Sequence, residues 1–154
     1  MALLLYYLHM QKQIFVNLPV LDLPRSMEFF KALGFAFNPQ FTNEQAGCLV
    51  VEEGSIYVML VTEPFFKGFI PAHEQADAGK VKEVLTCISL ESRAAVDEML
   101  GKAVAAGGRE YRPADDYGWM YARSFTDLDS HVWEIMYGDA SQAPATPDAP
   151  AAQA

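Results

Sequence analysis

Basic residues are scarce in this chain: 11 Lys and Arg stand against 20 Asp and Glu, for a formal net charge of -9. Nucleic acid and anionic membrane surfaces are held by clustered Lys and Arg, and the few here are scattered, so neither is an expected partner. Cysteine is scarcer. Cys48 and Cys87 each lie in an apolar run without CxxC spacing, which excludes metal-finger and dithiol redox motifs. Two buried free thiols in a reducing, cytoplasmic setting are the expectation. No apolar run is long enough to cross a bilayer; residues 1–8 come nearest but lack a basic leader and a small-residue cleavage site. The sequence has no phosphate-binding glycine loop, nucleophile elbow or paired catalytic acids, so no local motif marks a reaction.

What is present is enough apolar material for one domain: 154 residues, 51% of them hydrophobic. We expect residues 1–12 as an N-terminal extension and 13–138 as the domain. Residues 139–154, rich in Ala and Pro without bulky apolar side chains, are expected to be a disordered tail. Inside the domain one unit is written twice, as modules 13–62 and 83–138. The first opens with an apolar strand from Ile14 to Val20. Asp22 then caps a helix whose first turn holds Pro24 and whose apolar face carries Met27, Phe30 and Leu33, and Gly34 ends it. Strands follow at Cys48 to Val51 and Ile56 to Val61. The second unit repeats this order: a strand from Glu83 to Leu90, a cap at Ser92, a helix faced by Val96, Leu100, Ala103 and Val104, and a stop at Gly107-Gly108. Strands follow at Trp119 to Phe125 and His131 to Tyr137, around a polar turn from Asp127 to Ser130. Aligning the two caps sets Phe15 opposite Leu85 and Asn17 opposite Cys87. A duplicated βαβββ module, α+β in class, accounts for this repeat. One curved sheet with a helix on one face cannot cover itself; pairing two modules does, and encloses a cavity.

Three stretches carry a family resemblance. They are Val20-Leu21-Asp22-Leu23-Pro24-Arg25-Ser26-Met27-Glu28-Phe29-Phe30 with Leu33-Gly34-Phe35, then Ala105-Ala106-Gly107-Gly108, then the turn and strand from Asp127 to Glu134. In this order and spacing the chain resembles the vicinal-oxygen-chelate superfamily of glyoxalases, bleomycin-resistance proteins and ring-cleaving dioxygenases. The resemblance implies two βαβββ modules whose curved sheets enclose a cavity. It also implies a divalent metal held by one side chain from the first and one from the last strand of each module. Those positions fall here at Phe15, Leu85, Val58 or Met59, and Glu134, and of these Glu134 alone is a suitable ligand. No metal site and no cofactor are therefore expected, with an atypically held divalent metal as the alternative. His131 and Glu134 are three apart on a strand and point to opposite faces. His131 is read as a solvated turn residue, and His73 lies in the linker between modules.

The remaining candidates are polar and aromatic. Glu134 is either a general base or an acid paired with Arg123 or a tyrosine hydroxyl. Asn17 and Cys87 hold equivalent places that can face the cavity. Trp119, Tyr121 and Arg123 alternate onto one face of a strand, where they can line an aromatic slot for a planar ligand or serve as sheet packing. The linker carries Phe65, Phe66 and Phe69, rings suited to a lid or a partner contact. The expected function is binding of a small organic ligand in the cavity, without the family metal. The alternatives are a divergent lyase, isomerase or dioxygenase working through Glu134, and a subunit that only mediates association. By resemblance, the chain is expected to form a homodimer.

Overall fold

The computed structural model describes residues 12–144. The expected extension up to residue 11 and the tail from residue 145 lie outside the described residues. The first module comprises β1 (Ile14–Val20), α1 (Leu23–Ala32), β2 (Ala36–Phe37), β3 (Ala46–Glu52) and β4 (Ile56–Thr62), in a sheet of order β1-β4-β3-β2. A short helix, α2 (Glu63–Phe69), opens the linker. The second module comprises β5 (Leu85–Ser89), α3 (Arg93–Ala105), β6 (Arg109–Asp116), β7 (Met120–Thr126) and β8 (Val132–Gly138), ordered β5-β8-β7-β6. In both sheets the first strand runs parallel to the last, and the other pairs are antiparallel. These are two mixed sheets in an α+β fold, the paired βαβββ modules that the resemblance implies, and neither closes into a barrel.

Local chemistry sets the helix ends. The Asp22 carboxylate accepts from Arg25 N–H, and the Ser92 hydroxyl accepts from Ala95 N–H, satisfying donors that the first turn leaves unpaired. Gly34 and Gly107 follow the C-caps at φ 102° and 106°, a left-handed region costly for any residue with a Cβ. Gly108 has a different reason: a Cβ there would sit 2.7 Å from the Thr126 carbonyl oxygen, so α3 can turn directly into β6 only without a side chain. The linker departs from a plain loop because Glu63 and Pro64 suit a helix start. The Phe65 and Phe69 rings of α2 pack edge to face at 5.0 Å.

The helices and the inward sheet faces share one core. Leu18, Val20, Phe29, Phe30, Leu49, Val58 and Leu60 from the first module join Val96, Leu100, Phe125, Trp133 and Ile135 from the second in a single buried cluster. Phe30 meets Trp133 at 4.8 Å between ring centroids, and Phe29 meets Phe125 at 6.3 Å. Burying rings of this size contributes on the order of 2 to 3 kcal/mol each, so the modules stabilise each other directly.

A clasp reinforces this joint. Asp127, 6% exposed, accepts from Asp129 N–H, His131 N–H and the Trp133 indole N–H at 2.9 to 3.0 Å. Burial pushes its carboxyl up, and the charge of His131 and these donors oppose that shift. The turn presents Asp129, whose carboxylate accepts from Leu21 N–H at 2.8 Å and Ser26 Oγ–H at 3.0 Å in the first module. His131 is not the solvated residue expected from sequence. Its Nε2 lies 2.7 Å from the Pro19 carbonyl oxygen, and the ring is half-buried.

Candidate functional site

Parallel pairing of β5 with β8 and antiparallel pairing of β8 with β7 set Cys87, Glu134 and Ser124 side by side. Directly paired residues point to the same side of a sheet, so these three share the face away from the core. That face opens on a hollow of about 670 Å³, lined by Cys87, Met120, Ala122, Glu134 and Met136 and walled by residues 112–117 of β6 and its turn. The strongest charges in it are locked together: Arg112 donates one guanidinium nitrogen to Glu134 and another to Asp115. Ser124 is fully buried, and its Oγ has no hydrogen-bond partner among the described residues. Cys87 is exposed, against the buried thiol expected from sequence, because β5 is an edge strand; Cys48 is buried. Loss of solvent and the Glu134 carboxylate push the Cys87 thiol up, with Arg112 opposing, which makes it a poor nucleophile at neutral pH.

Tyr121 and Arg123 are turned to the other face of β7. The Tyr121 hydroxyl donates to Asp97 at 2.7 Å, and Arg123 donates to Asp97 and Glu110 at 2.8 Å each. The Arg93 guanidinium stacks 4.9 Å from the Tyr121 ring centroid and forms a bidentate pair with Asp116. Arg93 holds the Asp116 carboxyl down to about 2. This polar group braces α3 against β6 and β7. Glu134 is thus paired with Arg112 rather than with Arg123 or a tyrosine. Trp119 precedes β7 and does not line the hollow, where Met120 faces inward instead. Asn17 is not brought to Cys87: it lines a second hollow of about 370 Å³, between β1, the linker and the start of β8.

The registers also show which residues stand at the ligand positions that the resemblance implies. Asn17 pairs with Met59 as Cys87 pairs with Glu134, so Met59 is the counterpart of Glu134. Val58 faces the core at 1% exposure. The four positions therefore hold Phe15, Met59, Leu85 and Glu134, and the last is already ion-paired. A divalent metal of the family type does not fit this donor set. Among the described residues no group of three His, Cys, Asp or Glu is arranged to hold a metal. Sequence reasoning missed Arg112 and Asp115, because β6 reads Arg-Glu-Tyr-Arg-Pro-Ala-Asp-Asp and shows no apolar alternation.

Comparison with known proteins agrees with this architecture. Residues 12–52 match the family described as bleomycin resistance protein-like N-terminal. A hypothetical protein from S. aureus is 27% identical, with 86% of this chain and 98% of that one covered at a TM-score of 0.68. A glyoxalase/bleomycin resistance protein/dioxygenase family enzyme from Burkholderia phytofirmans has the same fold at 16% identity, covering 81% and 97% of the two chains, TM-score 0.68. A glyoxalase-related enzyme from Fulvimarina pelagi aligns with this chain at 20% identity, covering 84% and 89%, TM-score 0.68. The fold is thus the one these glyoxalase and bleomycin-resistance-type structures share. No curated protein matches the sequence. Among the described residues no helix is long and apolar enough to cross a membrane.

Proposed function

We propose that this vicinal-oxygen-chelate chain binds a small organic molecule on the outward face of its second sheet, without the family metal. The observation that carries the reading is the Arg112 to Glu134 ion pair: the one family position able to hold a metal is instead bonded to a fixed cation. Met120, Ala122, Met136 and Tyr117 add an apolar and aromatic wall beside that polar anchor, a combination suited to a planar organic ligand. The same ion pair weighs against Glu134 as a general base, because Oε1 would first have to leave Arg112.

A homodimer would complete the site. β1 and β5 each form one edge of their sheet, and their equivalent residues Phe15 and Leu85 are 42% and 49% exposed. Apolar side chains at open strand edges are costly in water, and a two-fold copy would cover both pairs while bringing a first-module face against a second-module one. The free thiols support a reducing, cytoplasmic setting.

The test is metal content by elemental analysis, joined to thermal-shift titration with nickel, zinc, manganese and iron(II), on wild type and Glu134→Ala. Substoichiometric metal and no stabilisation in either protein are expected, with aromatic ligands giving the shifts. Stoichiometric metal that the variant loses would overturn the metal-free reading.

A further inference from the structure

The linker builds a site that the Glu134 face does not use. Residues 70–84 cross the end of β1 and the start of β8 and leave two adjoining hollows, an outer one of about 700 Å³ and an inner one of about 370 Å³. Both are lined by Pro19, Ile70, His73, Glu74, Gln75 and His131. Their chemistry differs. The inner hollow is walled by Phe66, Val81, Val84 and Val132, whereas the outer one gathers the carboxylates of Glu63, Glu74, Asp77 and Asp129 against the single cation Lys67.

Gln75, which lines both, carries an unanswered acceptor. Gln75 donates its amide nitrogen to Glu63 Oε1 at 3.0 Å, which fixes the amide, since a carboxylate can only accept. Its own Oε1 is then buried without a partner among the described residues. A buried acceptor left in this state is unfavourable until a donor arrives. His131, whose Nε2 donates to the Pro19 carbonyl, forms the wall beside it. Asp77 and Asp129 are already committed, the first to Lys80 and the second to the clasp. Glu63 and Glu74 have no cationic partner among the described residues. Lys82, on the inner wall, donates to the carbonyls of Ala78 and Ser130, so its ammonium closes the linker onto the turn.

Acceptors and uncompensated negative charge at one end, with an apolar chamber behind, are the complement of one ligand class. We propose that the linker hollows bind a small organic amine. The protonated nitrogen donates to Gln75 Oε1 and is neutralised by Glu63 and Glu74, while its aryl or alkyl group enters the chamber walled by Phe66, Val84 and Val132. An ammonium supplies three donors and a positive charge where the protein offers acceptors and carboxylates. An anionic ligand meets repulsion, and an alcohol of the same shape answers one acceptor without balancing the charge. This site goes beyond the reading of the Glu134 face and shares none of that hollow's lining residues.

The experiment is calorimetric titration of the full chain at neutral pH with 2-phenylethylamine, 2-phenylethanol and 3-phenylpropionate. The amine is expected to bind saturably and one to one, the alcohol at least about tenfold more weakly, and the carboxylate not at all. Glu74→Gln, at an exposed position that tolerates substitution, is expected to weaken the amine by about tenfold, and Gln75→Leu by at least as much. The absence of saturable amine binding would overturn the proposal. So would an amine that binds no tighter than the alcohol, or an affinity unchanged in Glu74→Gln.

Discussion

The turn between β3 and β4 and the turn between β7 and β8 hold the same place in the two modules, yet only the second reaches out of its own module. The first is a local hairpin: Gly54 takes φ 80°, Ser55 N–H returns to the Glu52 carbonyl at 3.1 Å, and Gly54 N–H meets the Tyr57 hydroxyl at 2.8 Å. The second gathers Asp129, His131 and Trp133 around the buried Asp127 carboxylate and then holds Leu21, Ser26 and Pro19 of the other module. Two copies of one unit can thus keep a common sheet order while a few turn residues decide whether an end is a hairpin or a clasp. The outward faces diverge in the same way. On the first sheet Cys48, Tyr57 and Val61 are buried on the outward side, whereas Glu134 and Cys87 on the second line an open hollow.

The comparison is broken most severely at Asp127. Asp127→Ala leaves the Trp133 indole and two backbone N–H groups without their acceptor in a buried setting, and is expected to cost roughly 3 to 5 kcal/mol in urea unfolding. Glu53→Ala in the matching exposed turn is expected to stay within about 0.5 kcal/mol. A cost for Asp127→Ala as small as that for Glu53→Ala would show the clasp to be no more than a second hairpin. Asp129→Ala tests the bridge itself. It removes the acceptor for Leu21 N–H and Ser26 Oγ–H at a partly exposed site and is expected to cost about 1 to 2 kcal/mol by the same measurement.

The smallest effect concerns the brace between α3 and β6, which the two-residue β2 of the first module has no length to match. Asp116 titrates at about 2 in the folded chain, against an ordinary 3.8, with its hydrogen bonds to Arg93 first among the causes. A lowered carboxyl stabilises the fold above the ordinary value and loses that contribution as pH falls through about 2. Both side chains are well exposed, so solvent screens the gain. Carboxyl NMR titration of Arg93→Gln should move Asp116 back up toward 3.8, and an unmoved Asp116 would assign the shift to the Gly118 N–H instead.

Legibility in the sequence followed local determinants. The span of β1 and both helix caps were readable because a short apolar run, Asp22, Ser92 and the glycines act over a few residues. β6 was not, since an edge strand largely in solvent needs no apolar side, and α2 was hidden by a linker that resembles a loop in composition. The Glu134 position was readable from its turn, but its partner was not: Arg112 lies 22 residues away on that unpatterned strand. His131 was misread for a related reason. A histidine in a polar turn looks solvated until the other module's Pro19 carbonyl is brought beside it, a contact spanning 112 residues.

The clasp also has a temporal side. Ser26 and Asp129 are 103 residues apart, and at synthesis rates of about 5 to 20 residues per second the ribosome needs on the order of 5 to 20 s to make the chain between them. Throughout that interval the nascent first module has neither Trp133 over Phe30 nor the acceptor for Leu21. Its aromatic surface must wait, uncovered, for the last strand to emerge, so the chain's period of greatest vulnerability to aggregation falls during its own translation.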